Sequence, residues 1–165
     1  MTELADGSYR AHNAVVTGDV SVGRLTSLWF NVVVRGDVAR ILIGQQVNVQ
    51  DNAVIHCDAD IESIIQDDVT IGHAALVHGQ FVGRGTLIGM GAVLLSRTRI
   101  GSECVIAAGA LLPPDLHVPD RMMVIGAPGR ITRLVTDQEI QHMRQVTQRC
   151  VELAQQYAHR PAGPA

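Results

Sequence analysis

The sequence predicts an all-β solenoid: short parallel strands wound into a β-helix, followed by one C-terminal α-helix. Three observations predict it. Aliphatic residues recur at every sixth position, with Val82, Ile88, Leu94, Ile100, Ile106, Leu112 and Val118 forming an unbroken ladder. Composition fits thin, regular layers, because hydrophobic residues are 47% of the 165-residue chain while aromatics are only 3%, and 16 glycines suit many tight turns. After residue 135 the apolar period becomes helical. An α-helix needs spacing near 3.6 and a plain strand alternates by two, so a six-residue period denotes one short strand and one corner per step. Three steps make a coil, and stacked coils pair their strands about 4.8 Å apart.

The same ladder runs earlier through Val16, Val22, Leu28 and Val34, then Ile43, Val49 and Ile55, then Ile71 and Val77. Three extra residues follow Val34, a longer insertion follows Ile55, and one residue is missing between Val77 and Val82. If each insertion bulges outward and the chain returns to phase, the rungs cycle over three faces. Val16, Val34, Ile55 and Val77 fall on the first face, Ile43 and Ile61 on the second, Val49 and Ile71 on the third. Residues 1–135 are then the β-helix, 136–158 a helix packed on it within a single domain, and 159–165 a tail. Gly126-Ala127-Pro128-Gly129 is a turn-rich connector ahead of the helix. Thr136-Asp137-Gln138-Glu139 reads as a capping box. Ile140, Met143, Val146 or Thr147, Cys150, Leu153 or Ala154, and Tyr157 follow at helical spacing and define the packed stripe.

Several function classes are excluded. A net charge of −3 gives no basis for nucleic-acid binding. No apolar run is long enough to cross a bilayer, so no membrane partner is expected. Met1 to Tyr9 shows no basic stretch leading into an apolar one, so no signal peptide is expected. The three cysteines, Cys57, Cys104 and Cys150, are odd in number and widely spaced. They read as reduced thiols in a cytoplasmic protein. Cys57 directly follows His56 and is read as a small buried apolar residue, not a ligand.

Three histidines fall at fixed offsets from the rungs. Arg35, His56 and His78 each come one residue after a first-face rung, so they stack along one edge. Asp51 and His73 each come two residues after a third-face rung, so they stack along another. If a neighbouring subunit brings its second edge to this first edge, its His73 joins His56 and His78, and its Asp51 meets Arg35. Such a head-to-tail contact closes into a ring, and three-fold symmetry suits a prism. Three imidazoles with an open fourth position make a catalytic zinc site. The alternative is that these histidines are simply solvated or bond across a subunit contact. Three in register, with a matching Arg35–Asp51 pair, favour the metal. His12, His117, His142 and His159 lack this registration and receive no role.

Arg35-Gly36-Asp37, Asn48-Val49-Gln50-Asp51-Asn52, Ile55-His56, Ile71-Gly72-His73 and Val77-His78-Gly79 occur in this order and in ladder phase. Together they resemble the gamma-class carbonic anhydrases and their hexapeptide-repeat relatives, over roughly Tyr9 to Leu134. The resemblance implies a left-handed parallel β-helix and a homotrimer with zinc (or iron or cobalt) between subunits. It implies that His56, His73 and His78 are the metal ligands. Gln50 then hydrogen-bonds metal-bound water, Arg35, Asp37 and Asp51 brace the interface and the ligands, and Asn48 lies near the pocket. The implied activity is that of a lyase: metal-bound hydroxide attacks CO2, bicarbonate leaves, and a proton passes to solvent. The family prototype carries a long acidic loop with a glutamate proton shuttle between the first two ligands. Here only Cys57 to Thr70 fills that place, and Asp58, Asp60, Glu62, Asp67 and Asp68 are either relay candidates or a solvated loop. Val38 follows Asp37 where the prototype has another glutamate. Relatives also imply alternatives: an acyl-CoA thioesterase, a hexapeptide acyltransferase-type enzyme sharing the Gly126-Ala127-Pro128 connector, or a trimeric metal-binding homologue of weak activity. The small-molecule substrate is then CO2/bicarbonate or an acyl-CoA.

Overall fold

The structure, a computed structural model, describes residues 1–159. It is a parallel β-solenoid of about six turns with a single C-terminal helix. Most strands are two residues long, an outward residue followed by an inward rung, as in Leu87–Ile88, Val93–Leu94 and Arg99–Ile100. Rungs pair in register from coil to coil: Ile55 with Val77 and Val77 with Leu94 on the first face, Ile71 with Ile88 and Ile88 with Ile106 on the third. Ile55, Ile71, Ile88, Leu94, Ile100, Ile106 and Leu112 are wholly buried and form the axis of the core. Each contributes roughly 1.5–3 kcal/mol on burial. The ladder extends one rung past Val118, to Val124 under Ile106.

The two insertions behave differently. The extra residues after Val34 do not leave the sheet. Val33–Ile43 is one continuous strand that rounds the corner from the first face to the second, paired with Val15–Val22 and bulged between Gly18 and Val20. The first and second faces therefore join into one ten-stranded sheet. The later insertion folds outward before the second-face strand Ser63–Ile65, which pairs with Ile41–Ile43. This corrects the placement of Ile61 as a rung. Its N–H is tied to the Asp58 carbonyl in a turn, at 3.3 Å, and Ile65, wholly interior, stacks between Ile43 and Val82 instead.

The corner between the third and first faces is regular. In five successive turns there one residue is left-handed: Asn31, Asn52, Ala74, Gly91 and Gly109, with φ between 56° and 67°. Asn and Gly adopt this conformation readily and Ala does not. Close coil-to-coil approach also fixes Gly72, where a Cβ would sit 2.7 Å from the Met90 nitrogen.

Met122–Ile125 turns back on Arg130–Leu134 as an antiparallel ribbon through the Gly126–Gly129 connector. The helix, Asp137–His159, follows. His159 closes it, and the rest of the tail expected for 159–165 lies outside the described residues. The capping box forms: Thr136 Oγ1 accepts the Glu139 N–H at 3.2 Å, and Glu139 accepts the Thr136 N–H at 2.9 Å. The buried stripe is Ile140, Met143, Thr147, Val151 and Ala154. Thr147 is selected over Val146 because it meets Thr70 Oγ1 at 3.3 Å, and Ala154 over Leu153, which stays exposed. Cys150 gives way to Val151. The helix thus covers the outer side of the third face, against Leu87, Val105 and Met123 at one end and Tyr9 and Trp29 at the other.

Ile100→Ala should lower stability by about 2–5 kcal/mol, because its site cannot collapse between paired coils; urea denaturation measures it. Arg133 first, then Thr136, hold the Glu139 carboxyl down to about 2 from its ordinary 4.5. A depressed carboxylate stabilises the fold fully above its unfolded value and loses that contribution as pH falls through the folded one. Helical circular dichroism should therefore decline between pH 4.5 and about 2, and Glu139→Gln should flatten that portion of the titration.

Candidate metal centre

Register places the sequence-predicted residues. Pairing of Val34 with Ile55 and of Ile55 with Val77 stacks Arg35, His56 and His78 at the corner between the first and second faces. Pairing of Val49 with Ile71 stacks Asp51 and His73 at the corner between the third and first faces. Backbone bonds hold both edges: His56 N–H reaches the Val77 carbonyl at 3.1 Å, and His78 N–H reaches the Leu94 carbonyl at 2.9 Å.

On the first edge, His56 Nδ1 faces His78 Nε2 at 3.2 Å. His56 Nε2 lies 3.0 Å from Asp37 Oδ1, and the other Asp37 oxygen bonds Arg35. Partial burial alone would raise the Asp37 pKa; the hydrogen bonds from His56 and Arg35 outweigh it and hold the carboxyl below the usual range. On the second edge, His73 Nδ1 lies 3.0 Å from Asp51 Oδ2, and Asp51 Oδ1 accepts the Phe30 N–H at 3.1 Å. Arg35 and Asp51 each therefore have a partner within the chain. These pairs are partly exposed, so solvent screens them and they contribute little to stability.

The chain brings His56 and His78 together and leaves His73 on the other edge. Among the described residues, no group of three His, Cys, Asp or Glu within one chain is arranged to hold a metal ion. The donor set nevertheless fits one. His56 and His73 each carry one ring nitrogen beside a carboxylate, and the other His56 nitrogen faces His78 Nε2 at 3.2 Å, a separation at which two imidazoles can share one ion. Pairing with a carboxylate fixes the tautomer and raises the basicity of a metal-binding imidazole.

Gln50 follows rung Val49 half-buried at the regular corner, its N–H bonded to the Ile71 carbonyl at 2.9 Å. Asn48 is placed elsewhere than the pocket the resemblance implies. It lies on the third face beneath the helix, 2% exposed, where its Oδ1 accepts Trp29 Nε1–H at 2.8 Å and Ser27 Oγ–H at 3.2 Å. Of the five loop acids, Asp67 and Asp68 are engaged by Arg84. Asp60 and Ile61 stand at the outward turn. Asp58 alone reaches the histidines: its Oδ1 is 3.8 Å from His78 Nδ1 and 2.9 Å from Ser96 Oγ. Ser96 is a residue that motif reading overlooks. It stands two residues after rung Leu94, one beyond the His78 column, so the ladder itself marks it.

Between the two edges lies the first face, whose outward column is apolar in every coil: Val15, Val33, Val54, Leu76, Val93 and Leu111 in register. Val15 and Leu76 are the most exposed of them, at 51% and 37%. No described helix is long and apolar enough to cross a membrane.

A family model for bacterial transferase hexapeptide (six repeats) matches residues 81–114. The carbonic anhydrase of Geobacillus kaustophilus is 39% identical over 155 residues, covering 94% of this chain and 85% of that protein. Gamma carbonic anhydrase 1, mitochondrial, of Arabidopsis thaliana is 39% identical over 163 residues, covering 95% of this chain and 59% of that protein. The crystal structure of a hexapeptide transferase family protein from Anaplasma phagocytophilum superposes with a TM-score of 0.87 at 32% identity, covering 92% of this chain and 89% of that one. The fold is thus that of a hexapeptide-repeat solenoid, and the relatives named as carbonic anhydrases are enzymes. The chain belongs to the gamma-class carbonic anhydrase-like hexapeptide-repeat family.

Cys57 and Cys104 are buried, and Cys57 Sγ–H points at the Ala39 carbonyl at 3.4 Å. Burial pushes all three thiols above their ordinary range. Ellman's reagent should label Cys57 and Cys104 only on unfolding, with the half-buried Cys150 reacting first.

Proposed function

We propose that this protein is a metal-dependent carbonic anhydrase that reversibly hydrates CO2 to bicarbonate at sites shared between subunits of a homotrimer. The observation that carries this is the division of three braced histidines between two edges flanking one apolar face. His56 and His78 of one subunit and His73 of the next would hold zinc, with iron or cobalt as alternatives. The apolar column between the edges supplies surface for a neighbour to bury, and a head-to-tail contact closes a ring. Arg35 and Asp51, on opposite edges, offer complementary charge for that contact.

The chemistry the ion supplies when bound is Lewis acidity, which lets water lose a proton near pH 7, the general value for carbonic anhydrases. The protein's own groups orient and hold. Asp37 braces His56 and Arg35 together, and Asp51 braces His73. Gln50 offers an amide, donor at one end and acceptor at the other, to orient the attacking water. The exposed acids of the insertion face the solvent that must take up the proton.

Zinc-loaded protein should hydrate CO2 in a stopped-flow indicator assay, and His78→Ala should reduce the rate to the buffer background. Asp51→Ala should weaken sedimentation as a trimer and zinc binding together. A zinc-replete trimer with no hydration above buffer between about pH 6 and 9 overturns the proposal. The likeness to a hexapeptide transferase family protein supports group transfer as the alternative, for which we take an acyl-CoA as the substrate. Chelator-sensitive release of thiol from acetyl-CoA would favour that chemistry instead.

A further inference from the structure

We infer that Asp58 and Ser96 position His78, holding the proton on its Nδ1 so that Nε2 is committed to the metal. This rests on the metal-centre reading proposed above and assigns a task to the insertion, which the repeat does not need. Asp58 and Ser96 are 38 residues apart in the chain, yet the Ser96 hydroxyl donates to Asp58 Oδ1 at 2.9 Å. Both stand beside the same ring nitrogen: Ser96 Oγ at 3.5 Å and Asp58 Oδ1 at 3.8 Å from His78 Nδ1.

A serine hydroxyl has one proton to give. Here it is directed to the carboxylate, so only a lone pair remains to face the ring. With Nε2 and His56 Nδ1 turned toward one shared ion, Nδ1 is the nitrogen left to carry the proton, and the nearby carboxylate favours the same choice. Nε2 keeps its lone pair on the side where His56 stands, 3.2 Å away. His56 and His73 meet their acids directly, at 3.0 Å each, while His78 meets its acid through a hydroxyl. The loop is anchored for this task, with the Asp60 N–H on the Val38 carbonyl and the Ile61 N–H on the Asp58 carbonyl, both at 3.3 Å. Asp58 and Ser96 are thus positioning residues, acting on the ion through His78.

The test uses the full chain with Zn2+ as the probe. Affinity is read by competition with a chromophoric chelator, and the His78 tautomer by nitrogen NMR of 15N-histidine-labelled protein. Zn2+-loaded wild-type protein should show His78 protonated at Nδ1. Ser96→Ala and Asp58→Ala should each weaken Zn2+ binding about 10–100-fold and lose the tautomer bias. Ser96→Thr and Asp58→Asn, which keep a hydroxyl and an acceptor oxygen, should restore most of both. Wild-type affinity and tautomer in the two alanine variants, with His78→Ala losing Zn2+, overturns the positioning role and leaves the metal centre standing. Loss in Ser96→Ala that Ser96→Thr fails to restore also overturns it, since the loss is then general. Zn2+ binding that survives His78→Ala overturns the metal centre itself.

Discussion

The columns that carry the site follow from one constraint, the parallel register of each coil on the next. The rungs leave no freedom to slip. A one-residue shift would turn every buried aliphatic outward and every outward side chain into the core. Residues about one coil apart in sequence thereby become strand neighbours, as Val54 is to Leu76 and Leu76 to Val93. The core does no chemistry, but it converts spacing in the chain into columns on the surface.

The acids that serve the histidines come from two sources. At the regular corner, Asp51 reaches His73 by stacking alone, one coil above it. At the other corner, the acids come from places where the period breaks. The bulged strand after Val34 carries Asp37 to His56, and the insertion after Ile55 carries Asp58 to His78. Both breaks fall on the corner that holds two histidines, and the departures from the repeat are where the site acquires its polar support.

Much of this was legible in the chain. The six-residue period yielded the fold, and counting from the rungs separated His56 and His78 from His73. Reading forward through the insertion misled, because nothing local says where phase returns. Counting six back from Ile71 lands on Ile65, the true rung. The helix stripe was legible only to within a residue, since periodicity does not say that Thr70 awaits Thr147 or that Leu153 has nothing to cover it. Asn48 could not be placed from its motif. Its neighbours in sequence line the corner, while its own side chain lies under the helix, a contact made by residues about a hundred positions later. Asp58 and Ser96 were hidden for a similar reason: their partnership crosses two coils and an insertion of irregular shape.

The regular corner repeats one turn in five successive coils, from Asn31 to Gly109. A repeated turn is a translational symmetry, and along its axis the backbone does not distinguish one coil from another. Chemical position on this scaffold is an address made of a coil and an edge. Met90 and Leu95 occupy the addresses one coil below His73 and His78. A set of side chains can move to them by substitution alone, travelling about 4.8 Å along the axis with its orientation preserved. Most folds tie a constellation of residues to one place. A solenoid works as a ruler, on which the same constellation can be written at another mark.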